Sequence, residues 1–241
     1  MNLLCKPMLG ALLSAGIVLL GGCGWHPEPT GPTETMPINV NLGSAERSKM
    51  ELDLAAGELT LSGGASNLLE GSIEYNIPTW KPDLHVSNIG SSTDIVLKQP
   101  ERHGFPGAGN HRYKWNLQVN NRVLLDVRIN CGAGKQELKL GDTNLRSLTV
   151  HIGAGEVNVD LRGHPARDYN VAVSGGVGHA RVLLPSDVGI WAEAHGGIGH
   201  IDISGLTKKG DHWENSLYDS AKVNIHVKVE GGIGHIEIRA E

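Results

Sequence analysis

The chain has 241 residues, a formal net charge of −5, 33 glycines and a single phenylalanine. The mild acidity argues against a nucleic-acid partner, which requires a basic patch. The glycine content is typical of a turn-rich all-β protein rather than a helical one.

Residues 1–22 have the features of a bacterial lipoprotein signal peptide. An apolar run from Leu9 to Leu20, too short to span a bilayer, ends in Leu-Gly-Gly-Cys, which resembles a lipobox. The sequence therefore predicts an exported protein that acyl chains on Cys23 anchor to a bacterial membrane. A plain signal peptide with a chance cysteine is the alternative. Gly24 is not the aspartate of an inner-membrane retention signal, which favours the periplasmic face of the outer membrane where two membranes exist.

Residues 23–37 are rich in Pro, Thr and Glu and have no periodicity, so we predict a flexible tether that carries Cys23. Cys5 leaves with the signal peptide, which leaves Cys131 without a disulfide partner. Cys131 precedes a turn within an apolar strand, so we expect a buried small hydrophobe rather than a nucleophile.

Residues 38–130 form a predicted N-terminal β region with an irregular strand pattern. It contains an early copy of a glycine phrase at Ala55-Ala56-Gly57-Glu58 and an obvious loop from Gln99 to Asn110. Asn120-Asn121 is typical of a hairpin turn between two alternating strands.

Residues 131–241 repeat one glycine-centred phrase five times. Its last glycine recurs at steps of 21, 23, 21 and 35 residues, and the long step contains a polar insertion from Ser204 to Ala221. The five glycines are Gly134, Gly155, Gly178, Gly199 and Gly234. A fixed period of this size predicts a β-helix or β-solenoid of short strands, in which GxG bends the chain because glycine reaches positive φ without penalty.

Stacking successive coils in chain order predicts a continuous interior column of apolar side chains. The inward residues are Val157, Val159, Leu161, Ala180, Val182, Leu184, Ile201, Ile203, Ile236 and Ile238. The closing Arg239-Ala240-Glu241 would then blunt the far end of the stack.

The segment VLLDVRINCGAGKQELKLGDTNLRSLTVHIGAGEVNVDLRG, with AAGELTLSGGASNLLEG before it and GGIGHIEI at the end, resembles the bacterial toast-rack family. The resemblance covers about Asn39 to Glu241. It implies an irregular N-terminal β region that continues into a single-chain β-solenoid, shared distantly with the C-terminal domain of cell-wall-active antibiotic response proteins. It implies no known reaction and no catalytic residue.

Residues just after each corner fall on the outer face, where stacking predicts columns of Glu156, His179, His200 and His235, and of Asn158, Arg181, Asp202 and Glu237. Imidazoles and carboxylates at this spacing can share zinc or copper, so the metal-site candidates are His179, His200, Asp202, His235 and Glu237. The simpler alternative is that a repeated phrase repeats its turn residue, which leaves solvated histidines and no cofactor.

Two further features bear on function. Asp202 and Glu237 could mimic a glycosidase dyad, although no cleft of acidic and basic residues is evident. Trp213 and Tyr218 in the insertion are candidates for partner contact, and a local anchor that pins the insertion to the solenoid is the equal alternative.

The sequence thus favours a non-enzymatic, lipid-anchored cell-envelope protein: a β-solenoid scaffold, adhesion or envelope-stress interaction module. Its partners would be the membrane, through Cys23, and either another copy of itself or an envelope protein. A metal- or ligand-binding periplasmic protein is the second hypothesis, and a carbohydrate-active β-helix enzyme is the third.

Overall fold

A computed structural model describes residues 30–100 and 110–241, so the predicted signal peptide and Cys23 lie outside the described residues. The strands are β1 Glu34–Val40, β2 Arg47–Gly63, β3 Leu69–Tyr75, β4 Asp83–Ile89, β5 Ser92–Lys98, β6 Tyr113–Val119, β7 Leu124–Lys139, β8 Leu145–Asp160, β9 Tyr169–Leu184, β10 Gly189–Ser204, β11 Thr207–Lys209, β12 His212–Glu214 and β13 Asn224–Ala240. A single 3-10 turn spans Pro78–Trp80. No helix within the described ranges is long and apolar enough to cross a membrane.

Six strands of 16 or 17 residues, β2, β7, β8, β9, β10 and β13, carry the glycine phrase in their middle. The glycine corner divides each into a first arm before it and a second arm after it. The hydrogen-bonded ladder continues through the corner, so the short strands predicted on either side of each corner are the two arms of one strand. The all-β class is confirmed.

The corner depends on the last glycine of each phrase. This residue has a φ between 136° and 149° in all six strands, a region that favours glycine. A Cβ atom at Gly155 would also overlap the carbonyl oxygen of Gly134 in the next strand. This last position of the phrase therefore excludes a side chain for two reasons, backbone conformation and close approach of the neighbouring strand.

All thirteen strands belong to one sheet. Its main order is β1-β3-β6-β2-β7-β8-β9-β13-β10-β12-β11, while β4 pairs with β5 and β5 pairs with the first arm of β2. The hairpin predicted at Asn120-Asn121 is wrong, because β6 and β7 both pair with β2 rather than with each other. The buried Asn120 amide instead donates to the carbonyls of Ala65, Ser66 and Asn67, at 3.1–3.3 Å, and fixes the loop that precedes β3.

The last repeats do not stack in chain order. β13 lies between β9 and β10 and pairs in parallel with both, so that Ile236 stands between Ala180 and Ile201. The predicted order is therefore wrong at this end. Arg239-Ala240-Glu241 closes an internal strand, where the carboxylate of Glu241 accepts from Nη1 of Arg162 at 2.8 Å, and it does not blunt an edge. The insertion allows this strand order, because it runs along one side of β10 before the chain returns to form β13 on the other side.

The inward-facing side chains of the strands form one continuous hydrophobic core along the length of the sheet. Of the predicted inward residues, those of β8, β9 and β13 are buried or half-buried, whereas Ile201 of β10 is 36% exposed. Cys131 is buried, as predicted, and its Sγ lies 3.4 Å from the carbonyl oxygen of Ala133. Burial raises the pKa of the Cys131 thiol to about 11, which makes it a poor nucleophile.

Candidate functional site

The first column of outer residues follows the corner along the second arms. Parallel pairing aligns, in spatial order, Lys114, Glu58, Lys135, Glu156, His179, His235 and His200. The predicted column therefore exists, with His235 in the middle of the three histidines. The first four residues of the column alternate between lysine and glutamate, and the last three are histidines.

The alternating half of this column is held by ion pairs. Nζ of Lys114 lies 2.9 Å from Glu58, and Nζ of Lys135 lies 3.6 Å from Glu156. Donation from Asn158, together with the charges of Lys135 and His179, keeps the pKa of Glu156 below its ordinary value. These exposed pairs fix side-chain positions and contribute little to stability.

The three histidine rings lie next to one another, and two of them are stacked. The His179 and His235 rings are parallel with centroids 4.8 Å apart, and the His200 ring is tilted by 53° at 5.5 Å from His235. Within the described part of the chain, Nε2 of His179 and Nε2 of His235 are buried and make no hydrogen bond. Stacked rings present their faces, not their nitrogens, to one another.

Glu237 lies in the second outer column between two guanidinium groups. Its carboxylate is 3.2 Å from Nε of Arg181, without the alignment of a hydrogen bond, and contacts Arg239 on the other side. His179 Nε2 is 3.8 Å away. This ion pairing satisfies a buried carboxylate, whereas the two carboxyl groups of a glycosidase dyad flank the bond that is cleaved.

The five metal-site candidates lie on three adjacent strands. His179 Nε2 is 3.8 Å from Glu237, and His200 and Asp202 of β10 pair in register with His235 and Glu237 of β13. Among residues 30–100 and 110–241, no group of three or more His, Cys, Asp or Glu side chains is arranged to hold a metal ion. Zinc or copper binding at these residues stays a prediction.

The corner itself becomes apolar and exposed over its last three strands. Alanine occupies the middle of the corner in β2, β7 and β8, whereas the later strands carry Val177, Ile233 and Ile198, which are 52%, 51% and 72% exposed. We call these three residues the apolar row.

A small hollow lies behind the apolar row. The residue before the corner changes from Ile152 in β8 to glycine in the next three strands, at Gly175, Gly231 and Gly196. The missing side chains leave a hollow of about 80 Å³, which Ile152, Val173, Ile201 and Ile236 line together with these glycines. The apolar row thus stands over loosely filled space.

The second arm of β10 is an open edge. β13 flanks it on one side, and on the other side β12 pairs only with Trp191 and Ala192 of the first arm. Ile201 is 36% exposed, whereas its in-register neighbour Ile236 is 4% exposed. Along the described residues, the sheet therefore ends at Gly196–Ser204 without a further strand.

A family model for the N-terminal domain of toast-rack proteins matches residues 29–183, more than half of the chain. The chain belongs to the toast-rack family. The match ends within β9, so β10 and β13, with His200 and His235, lie beyond it.

One solved structure has the same fold over most of this chain. A candidate cell adhesion protein from Clostridium sporogenes ATCC 15579 is 27% identical, covers 87% of this chain and 100% of its own, and superposes with a TM-score of 0.82. Candidate adhesins from Bacteroides fragilis NCTC 9343 and Parabacteroides distasonis ATCC 8503 are each 12% identical. They cover 87% and 86% of this chain and 98% and 97% of their own, with TM-scores of only 0.32 and 0.27. A comparison with curated proteins finds no significant match.

The insertion of this toast-rack chain forms an aromatic stack that the sequence reasoning missed. Trp191 of β10 lies between the rings of His212 and His226, at centroid distances of 5.3 and 5.5 Å. The Tyr218 hydroxyl is 3.3 Å from Nε2 of His226. Trp191 and His226 are partners in the β10–β13 ladder, whereas His212 reaches Trp191 only because the insertion returns alongside β10, a path that no local motif signals.

Trp213 and Tyr218, the predicted contact residues, both have contacts within the chain. Trp213 packs against the hydrophobic core, and Nζ of Lys208 lies 5.2 Å from its ring centroid. These contacts match the anchoring role that the sequence left open, and binding of a partner by either residue stays a prediction.

Proposed function

We propose that this toast-rack chain is a non-enzymatic cell-envelope protein whose β-solenoid binds another protein, as a scaffold, adhesion or envelope-stress interaction module. The observation that carries the proposal is the open second arm of β10 beside the apolar row, a regular strand edge of the kind to which a further strand adds. The 27% identical relative described as a candidate cell adhesion protein supports the same role.

The non-enzymatic part of the proposal is supported by how the outer face uses its charges. Lys135, Glu156 and Glu237 are committed to ion pairs with neighbouring strands, and the Cys131 thiol is buried. Reacting groups in an enzyme converge on a site that substrate can enter. The side chains described above pair with one another instead.

In this role the protein is exported, and acyl chains on Cys23 hold the solenoid on a membrane. In a bacterium with two membranes, this membrane is the outer one and the protein lies on its periplasmic face. Metabolic labelling with an alkyne fatty acid, followed by membrane fractionation of the native host, tests the anchor. The unaltered chain is expected to take up the label and sediment with membranes, and Cys23→Ser to do neither. Cys5→Ser is the matched control and should behave as the unaltered chain does. Labelling of Cys23→Ser would refute the anchor.

The binding role is tested by crosslinking in the native host and mass spectrometric identification of what is captured. We expect one reproducible protein partner, or a second copy of the chain, and we expect capture to fall when Ile198→Lys places a charge in the apolar row. The matched control is Ile89→Lys, on the equally exposed β4 at the other end of the sheet. A chain that stays monomeric and captures nothing would contradict the role.

Metal binding is a second candidate function, favoured by the two buried Nε2 atoms of His179 and His235 that lack hydrogen bonds among the described residues. Titration calorimetry of metal-free protein with zinc or copper tests it. Binding tighter than about 10 µM that is lost in His179/His200/His235→Ala and kept in His164→Ala would support the role. Weaker binding, or equal binding by the two variants, would exclude it.

A further inference from the structure

The open edge of β10 is long and lacks most of the devices that usually protect an edge strand. Between Gly196 and Ser204 there is no proline, lysine or arginine, and three isoleucines lie within nine residues. The edge strand β1 at the opposite end contrasts with it, because Pro37 in its middle removes one backbone donor. An unprotected edge of this length is a template for another strand.

The residues of this edge complement a second copy of themselves. In an antiparallel pair centred on Ile201, a residue that lies some positions before Ile201 faces the residue that lies equally many positions after Ile201 in the second copy. His200 then faces Asp202 of the second copy, Asp202 faces His200, and Ile201 faces Ile201. An imidazole can donate a hydrogen bond to a carboxylate opposite it, and apolar pairs directly across a ladder are favourable, whereas like charges are not. Because the pairing is symmetric, each copy makes the same contacts with the other.

A further strand on this edge would also complete the burial of the inward-facing side chains of β10. Ile236 and Ile238, flanked by strands on both sides, are 4% and 0% exposed. Ile201 and Ile203 occupy the same positions of the phrase in β10 and remain partly open. A strand laid on the outer edge would supply the missing neighbour to both.

We infer that the second arm of β10 pairs in antiparallel fashion, about Ile201, with the same arm of a second copy, which joins two solenoids end to end. The inference rests on the proposed binding role and names its partner. Pairing of one nine-residue edge buries less surface than a permanent dimer needs, so the dimer is weak in free solution. Attachment of both copies to one membrane would raise their effective concentration and favour it.

Cysteine crosslinking of the full chain in native membranes tests this geometry. Opposed residues of an antiparallel pair have Cα atoms about 4.5–5.5 Å apart, within disulfide range. Ile201→Cys should therefore give a disulfide-linked dimer on mild oxidation. Val177→Cys is the matched control, since Val177 is more exposed than Ile201 but lies on an internal strand, and it should give little dimer. Equal yields from the two variants would overturn the inference.

A charge exchange in the Ile201→Cys background tests the register. His200→Asp would place two carboxylates opposite each other twice, and we expect dimer yield to fall about tenfold. Adding Asp202→His restores an imidazole opposite a carboxylate at both positions and should restore the yield. Loss in both variants would overturn this register. If Ile201→Cys captures a different protein and forms no self-dimer, self-pairing is overturned and the binding role stands. If no tested position gives any crosslink, the result counts against both self-pairing and the binding role.

Discussion

Ile201 and Ile236 stand side by side in the same position of the same phrase, yet Ile201 is 36% exposed and Ile236 is 4% exposed. The difference comes from strand order, because the second arm of β13 has a neighbour on both sides and the second arm of β10 has only one.

This difference predicts unequal costs for the same substitution. Ile236→Ala should lower the free energy of unfolding by about 2–5 kcal/mol, as for a buried aliphatic side chain, and Ile201→Ala by about 1 kcal/mol. Urea unfolding of dilute protein measures both. Equal losses would mean that the second arm of β10 has a second neighbour even in the monomer.

The corner glycines predict a second pair of unequal effects. Gly155→Ala combines a positive φ with overlap on the carbonyl of Gly134, so we expect a loss of about 3 kcal/mol or more. Gly64→Ala shares the positive φ but has open space around it, and it should cost about 1 kcal/mol. Thermal unfolding of the two variants makes the comparison. A Gly155→Ala protein as stable as Gly64→Ala would contradict the close approach of the strands.

The pKa of His212 is raised above its ordinary 6.5, first by its hydrogen bond to Asp211 and then by Glu214. Stacking on Trp191 further favours the protonated ring. A raised folded pKa gives stability that is fully present below pH 6.5 and is lost as the pH rises through the folded value. Proton NMR should find His212 titrating above 6.5, and Asp211→Asn should lower the value. Titration at or below 6.5 would refute the assigned contacts.

Cys131 should be inert in the folded protein. With its pKa raised to about 11 by burial, roughly one thiol in a thousand is ionised at pH 8, and the side chain is shielded from reagents. Iodoacetamide labelling with peptide mapping should modify Cys131 only after unfolding in urea. Rapid labelling of native protein at pH 8 would show that the strand opens locally.

Much of the fold could be predicted from the sequence because the repeated phrase carries its own physics. Glycine marks the corners, and alternation in Val157-Asn158-Val159 separates core from outer face, so both the inward residues of β8 and the histidine column were predictable.

Strand order could not be predicted in the same way. The phrases GGIGHIDI and GGIGHIEI are almost identical, so nothing local states which of them lies at the edge. Placement of β13 depends on the path of the insertion, whose Trp213 packs on the core and whose His212 stacks on Trp191. Such long-range contacts have no periodic signature. The same holds for β6 and β7, which share β2 as a neighbour instead of forming a hairpin.

Hydrogen–deuterium exchange at two protein concentrations tests the central claim most directly, that β10 ends the sheet and offers its edge to a second copy. Amides of the second arm of β13 should be protected at both concentrations, because both edges of that strand are paired. Amides of Gly196–Ser204 that point away from β13 should exchange fast in dilute protein and more slowly in concentrated protein. Strong protection of this segment at both concentrations, or fast exchange in β13, would contradict the account.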